Sequence, residues 1–168
     1  ASTPYGRKGL AVMALSGVDI ALWDLLGRAE QLPVHRLINR KSRERVRAYA
    51  TGQDTDRYAD MGFNAQKLPL AWLDGKPDPG RARSAVERAR KVLGSDALLM
   101  VDAYMSWDFD TSLEMARLLA DLNVYFFEDV ISPDHLDELA ELRTAVKPLL
   151  IAGGEHEFTE FGFKELAR

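Results

Sequence analysis

Cysteine is absent from the 168 residues. That excludes a disulfide framework, a thiolate nucleophile and any zinc or iron–sulfur site built on thiolates. An excess of positive charge is also missing: 22 Lys and Arg against 26 Asp and Glu leave a net charge of −4. This argues against nonspecific binding to phosphate backbones or anionic membranes. No glycine-rich phosphate loop and no G-x-G-x-x-G occurs, and His156-Glu157-Phe158-Thr159-Glu160 lacks the second histidine of a zinc-protease helix. No basic stretch leads into a short apolar core with a cleavage site, so no secretory signal is expected. The most apolar stretch, Leu10 to Leu26, is interrupted by Asp19 and Asp24. Each would cost on the order of 3 kcal/mol at a bilayer centre. The stretch therefore reads as a buried helix of a soluble protein, ending at a left-handed cap on Gly27. A cytoplasmic protein with no membrane and no nucleic-acid partner is the expectation.

Apolar residues make up 46% of the chain, enough for one globular core. Short β-branched or aromatic runs recur at 45–51, 65–70, 97–103, 124–130 and 149–154. Helical patterns lie between them, at 84–93, 111–122 and 133–146, with another beginning at 159. A short turn at 53–62 leaves room for about two helical turns, and Trp72–Gly80 reads as an ordered surface loop. Thr111 and Glu114 have capping-box spacing, and Ser132-Pro133 suggests an N-cap followed by a helix-starting proline. The later runs are continuously apolar, as in parallel strands covered on both faces. Strand alternating with helix makes this an α/β chain of βαβ units. Residues 1–43 differ in being all helix, so a boundary is placed there, with 44–168 forming the α/β part. The basic stretch Arg40–Arg47, interrupted by Glu44, reads as a solvated linker.

Three strands end in an acid: Asp102 after LLMV, Glu128 after VYFF and Glu155 after LLIAGG, 26 and 27 residues apart. One strand, one helix and two loops fill about that length, so the acids fall at equivalent points of successive units. In a parallel sheet such points are about 4.8 Å apart strand to strand, at the C-terminal edge where ligands gather. Converging carboxylates repel unless a cation intervenes. With oxygen donors only, Mg²⁺ suits the set better than Zn²⁺. Lys67, near the end of the second strand, could reach the same edge as a catalytic amine. His156 could contact substrate, although adjacent residues of a strand point opposite ways. His35 and His135 read as structural or surface residues.

The stretch GVDIALWDLLGRAEQLPVHRLI followed by RVRAYATG resembles the entry to the barrel of the mandelate racemase branch of the enolase superfamily. The runs MGFNAQKLPL, VDAYMSWD, FFEDVISPD and AGGEHEFTEFGF are most similar to the L-rhamnonate dehydratases. The resemblance implies a partial (β/α)8-type, TIM-like barrel of about five βα units, preceded by a helix of the capping domain. It also implies a magnesium centre on Asp102, Glu128 and Glu155. The implied reaction is dehydration of a sugar acid to a 2-keto-3-deoxy acid through an enediolate, in a cytoplasmic homo-oligomer. Lys67-Leu68-Pro69 keeps only the first lysine of the Lys-x-Lys found in many relatives. The base is therefore expected to be a His–Asp pair from later strands. A complete barrel takes about 250 residues, so the sixth to eighth strands and most of the cap are expected to lie outside these 168 residues. Dehydratases for fuconate, galactonate or gluconate share the implied metal site. A regulatory α/β module of the receiver kind also gathers acids around Mg²⁺. Its acids would cluster on the first and third strands, whereas the first strand here ends in Ala50-Thr51-Gly52.

Overall fold

The computed structural model describes residues 6–70 and 77–167. It divides into two compact units, one running to Arg47 and including Glu157–Ala167, the other Ala48–His156. In the second unit five strands form one parallel sheet: β1 (Ala50–Thr51), β2 (Ala65–Pro69), β3 (Leu98–Asp102), β4 (Phe126–Glu128) and β5 (Leu150–Ala152). Their spatial order is their chain order. Receiver-type flavodoxin-like sheets run 2-1-3-4-5, so that alternative is excluded.

The helices of the second unit are α3 (Thr55–Asp60), α4 (Pro79–Leu93), α5 (Phe109–Asp121) and α6 (Leu136–Ala145). Residues such as Val86, Leu99, Val101, Met115, Leu119, Phe127 and Leu142 make one core between sheet and helices. The run of β3 is buried from Leu99 to Val101, whereas the run of β4 buries Phe127 and leaves Tyr125 exposed, so it is covered only in part. Helix α4 joins this layer through Arg90, whose guanidinium donates to the carbonyls of Ser95, Ala97, Leu122 and Asn123.

Several expected boundaries shift, for local reasons. The first strand is two residues long rather than seven. Val46 and Tyr49 are exposed, and among the described residues β1 pairs on one side only, with β2. Helix α4 starts at Pro79 because the Asp78 side chain accepts from the Arg81 amide. That takes Pro79 and Gly80 out of the expected loop, and residues 72–76 lie outside the described residues. The expected cap at Thr111 is displaced: Asp108 caps α5, its carboxylate accepting from the Thr111 amide at 2.9 Å. The hydrogen bonds to Thr111 hold the Asp108 carboxyl below its ordinary range. Ser132-Pro133 forms a turn closed by the His135 amide on the Ser132 carbonyl at 3.0 Å, and α6 starts only at Leu136.

The first unit holds α1 (Leu10–Glu30), α2 (Val34–Ile38) and α7 (Thr159–Leu166). Helix α1 runs past Gly27 and ends at a left-handed Gln31. Gly27 is inside the helix instead, and a Cβ there would lie 2.9 Å from the Leu32 carbonyl oxygen. The expectation that this helix is buried is corrected: Gly27 is its one buried residue, and Leu10, Met13, Ile20 and Leu25 are exposed. Hydrophobicity alone does not bury a helix; a facing surface must be present, and within this unit α2 meets only its C-terminal end. By length and composition α1 is apolar enough to cross a membrane.

Candidate metal centre

The strand ladder sets the geometry. Pro69, Asp102, Glu128 and Ala152 form one transverse row across β2 to β5. Asp102 and Glu128 are thus direct neighbours at the C-terminal edge. Lys67 pairs with Met100, two residues below Asp102 and therefore on the same face. A two-residue rise is about 6.6 Å, within the span of a lysine side chain. Its ammonium lies 2.9 Å from Asp102 Oδ2 and 2.7 Å from Glu128 Oε2. Burial works to lower the Lys67 pKa, but hydrogen bonds to Glu128 and Asp102, and their charges, outweigh it and raise it. Lys67 is accordingly held as a cation between the two carboxylates. The other oxygen of Asp102 accepts from the Tyr104 amide at 3.0 Å.

The strand-five acid is delivered differently. Strand β5 ends at Ala152, and Glu155 follows Gly153-Gly154 in a turn, three residues past the row. It is 42% exposed, and its Oε1 lies 3.2 Å from His156 Nε2. Because the pair is in a turn, strand alternation does not separate them, and His156 lies on the same side as Glu155. The imidazole also meets the Tyr104 ring edge to face, centroids 6.0 Å apart.

A fourth acid, Asp129, directly follows Glu128, and unbroken alternation along β4 would turn it to the opposite face. The backbone at Asp129 is left-handed, with φ of 44°, and this breaks the alternation. Its amide donates to the Ala152 carbonyl at 3.0 Å and its carbonyl accepts from Met105. The side chain is buried, with Oδ2 lacking any hydrogen-bond partner. Burial first, then the charges of Glu155, Glu128 and Asp102 and a hydrogen bond that the protonated carboxyl shares with Glu155, push its pKa up to about 6. A Cβ on Gly153 would lie 3.2 Å from Asp129 Oδ1, so the bare glycine leaves the carboxyl its place. The acidic dipeptide Glu128-Asp129 and the later Gly153-Gly154 were the available signals.

Among the described residues, Asp129, Glu155 and His156 bring one ligand atom each within 4.8 Å of one another. Asp102 and Glu128 are instead drawn to the Lys67 ammonium. Repulsion among the four acids, the orphaned Asp129 oxygen and an ammonium seated between two carboxylates together describe an edge that fits a hard divalent cation. His35 is exposed on α2. His135 precedes α6 and lies 3.2 Å from Glu138. It helps line a cleft of about 470 Å³ that includes none of the residues of the acidic edge.

Residues 50–168 match the family described as enolase C-terminal domain-like. Residues 3–39 match the mandelate racemase/muconate lactonizing enzyme N-terminal domain. A candidate L-rhamnonate dehydratase of Caldivirga maquilingensis is 36% identical over 164 residues, covering 96% of this chain and 41% of its own length. The crystal structure of rhamnonate dehydratase from Gibberella zeae complexed with Mg is 38% identical, with a TM-score of 0.83 over 98% of this chain and 41% of that one. A racemase from Streptomyces coelicolor A3(2) with bound magnesium is 34% identical, with a TM-score of 0.87 over 98% of this chain and 47% of that one. The chain thus spans less than half the length of these relatives.

Proposed function

The chain belongs to the mandelate racemase branch of the enolase superfamily, and on that footing we propose that it carries the metal-holding part of a magnesium-dependent sugar-acid dehydratase. L-Rhamnonate is the substrate favoured, on the likeness to the Caldivirga and Gibberella proteins. The observation that carries this reading is the crowding of Asp102, Glu128, Asp129 and Glu155 around one sheet edge, with a lysine ammonium already bridging two of them. Asp102, Glu128 and Glu155 would hold Mg²⁺. Once bound, the ion would supply charge stabilisation as the proton next to the substrate carboxylate leaves.

The chain's own groups have distinct parts. Lys67 keeps its proton and offers N–H donors to the substrate carboxylate, which assigns it charge neutralisation rather than proton abstraction. His156, half exposed beside Glu155, would hydrogen-bond a sugar hydroxyl. Neither supplies the main base. An acid–base group typically contributes 10²–10⁴-fold, so these 168 residues alone are expected to bind Mg²⁺ while turning over L-rhamnonate only at background. The protein is proposed to be cytoplasmic. It is also proposed to be a homo-oligomer, since β1 and β5 each pair on one side among the described residues and open edges invite association; a single-chain mass in sedimentation velocity would refute that.

Calorimetric titration with Mg²⁺ tests the metal reading. The parent chain should bind, and Glu128→Gln should weaken binding by at least roughly 100-fold, more than loss of an outer-shell partner usually does. Equal binding by parent and variant would overturn the assignment and favour a non-catalytic module.

A further inference from the structure

The acidic edge has more donors than one magnesium ion needs. Fully ionised, four carboxylates face one ammonium, so a single divalent ion leaves the edge net negative. The surplus lies on one side, where Asp129, Glu155 and His156 converge within 4.8 Å. We infer that these three residues form a second cation position, selective for a borderline divalent metal such as Ni²⁺, Co²⁺ or Zn²⁺. The inference rests on the magnesium reading only in sharing Glu155 with it.

Three features carry it. His156 Nε2 and Glu155 Oε1 are 3.2 Å apart. Around an ion that holds nitrogen and oxygen at about 2.0–2.2 Å, neighbouring ligands are about 3 Å apart. Two of the ligands therefore already have cis spacing, and the third needs only a small side-chain adjustment. Asp129 is 8% exposed, and among the described residues its Oδ2 finds no donor, facing the Glu155 carboxylate instead, a cost that a cation would remove. The imidazole sets the selectivity: Mg²⁺ prefers oxygen donors, whereas borderline ions gain from a nitrogen. The Tyr104 ring packs edge-on against that imidazole and limits its swing.

Sharing Glu155 makes the two positions competitive. A borderline metal seated on His156 would withdraw Glu155 from magnesium and the imidazole from any substrate hydroxyl. Trace transition metals should therefore displace Mg²⁺ from this chain rather than simply replace it at one site.

Calorimetric titration of the 168-residue chain with NiCl₂ and, separately, MgCl₂ tests this. Ni²⁺ should bind at least roughly tenfold tighter than Mg²⁺. His156→Asn should weaken Ni²⁺ by at least roughly tenfold and leave Mg²⁺ within about twofold, and Asp129→Asn should weaken Ni²⁺ by at least roughly tenfold and Mg²⁺ by less. Asp102→Asn should do the reverse. Ni²⁺ binding unchanged in His156→Asn, absent from the parent chain, or lost in parallel with Mg²⁺ in every variant would overturn the second position. Absence of Mg²⁺ binding with His156-dependent Ni²⁺ binding retained would instead refute the magnesium reading and leave this one standing.

Discussion

The two halves of the acidic edge are built by different means. Asp102 and Glu128 sit opposite one another on adjacent strands, nearly buried, and Lys67 ties them together. Glu155 and His156 lie in a turn past the end of β5, each more than 40% exposed. The first half is fixed by the ladder and is part of the fold's stability. The second is fixed by a glycine pair and by Asp129 behind it, and is free to respond to a ligand. The contrast separates residues that must be in place for the sheet to hold from residues whose main consequence is binding.

Removing the bridging cation strikes the first half hardest. Lys67→Met should cost about 3–5 kcal/mol in urea unfolding, because it leaves two nearly buried carboxylates facing each other. Saturating Mg²⁺ should return part of that loss, about 2.7 kcal/mol at a hundredfold excess over Kd. A variant whose Tm ignores Mg²⁺ would break the link between the ammonium and the metal position.

Asp108→Ala is intermediate, acting on the helix that follows β3. Loss of the α5 cap should cost about 1 kcal/mol. Its pH signature has a definite sign: the Asp108 carboxyl is depressed in the folded chain. Its contribution is thus present above the ordinary aspartate pKa and fades as the pH falls through the folded value. Above about pH 5 the parent should exceed the variant in stability, and the gap should close in strong acid. A gap independent of pH would count against the cap.

The smallest effect belongs to the exposed half. Glu155→Gln should lower the unfolding free energy by less than about 0.5 kcal/mol, since the half-exposed carboxylate repels buried Asp129 rather than anchoring the sheet, while weakening Mg²⁺ binding. A large loss of stability would erase the distinction between the halves.

Much of this was legible in the sequence, and for a physical reason. Parallel strands covered on both faces must be continuously apolar, so LLMVD and VYFFE announce themselves, and equal unit lengths put Asp102 and Glu128 in one row. Asp129 was not legible in that way, and His156 stood as a candidate only against the alternation. Period-two alternation assumes an unbroken strand, and both residues lie where the strand has just ended, one at a left-handed backbone and the other in a turn. Helix starts slipped for a related reason: Asp108 outcompetes the Thr111 signal, and Asp78 starts α4 ahead of the expected residue 84, since a carboxylate caps at least as well as a hydroxyl.

The amino-acid order alone determined the succession of βα units, the sheet's parallel character and the family, because these follow from local periodicity and from motifs whose residues are adjacent. Tertiary structure alone decided that Lys67 is a clamped cation, that a fourth acid joins the edge, and that the apolar α1 is exposed in this chain. Each of those depends on which distant surfaces meet, through long-range charge interactions and burial that no window of neighbouring residues encodes.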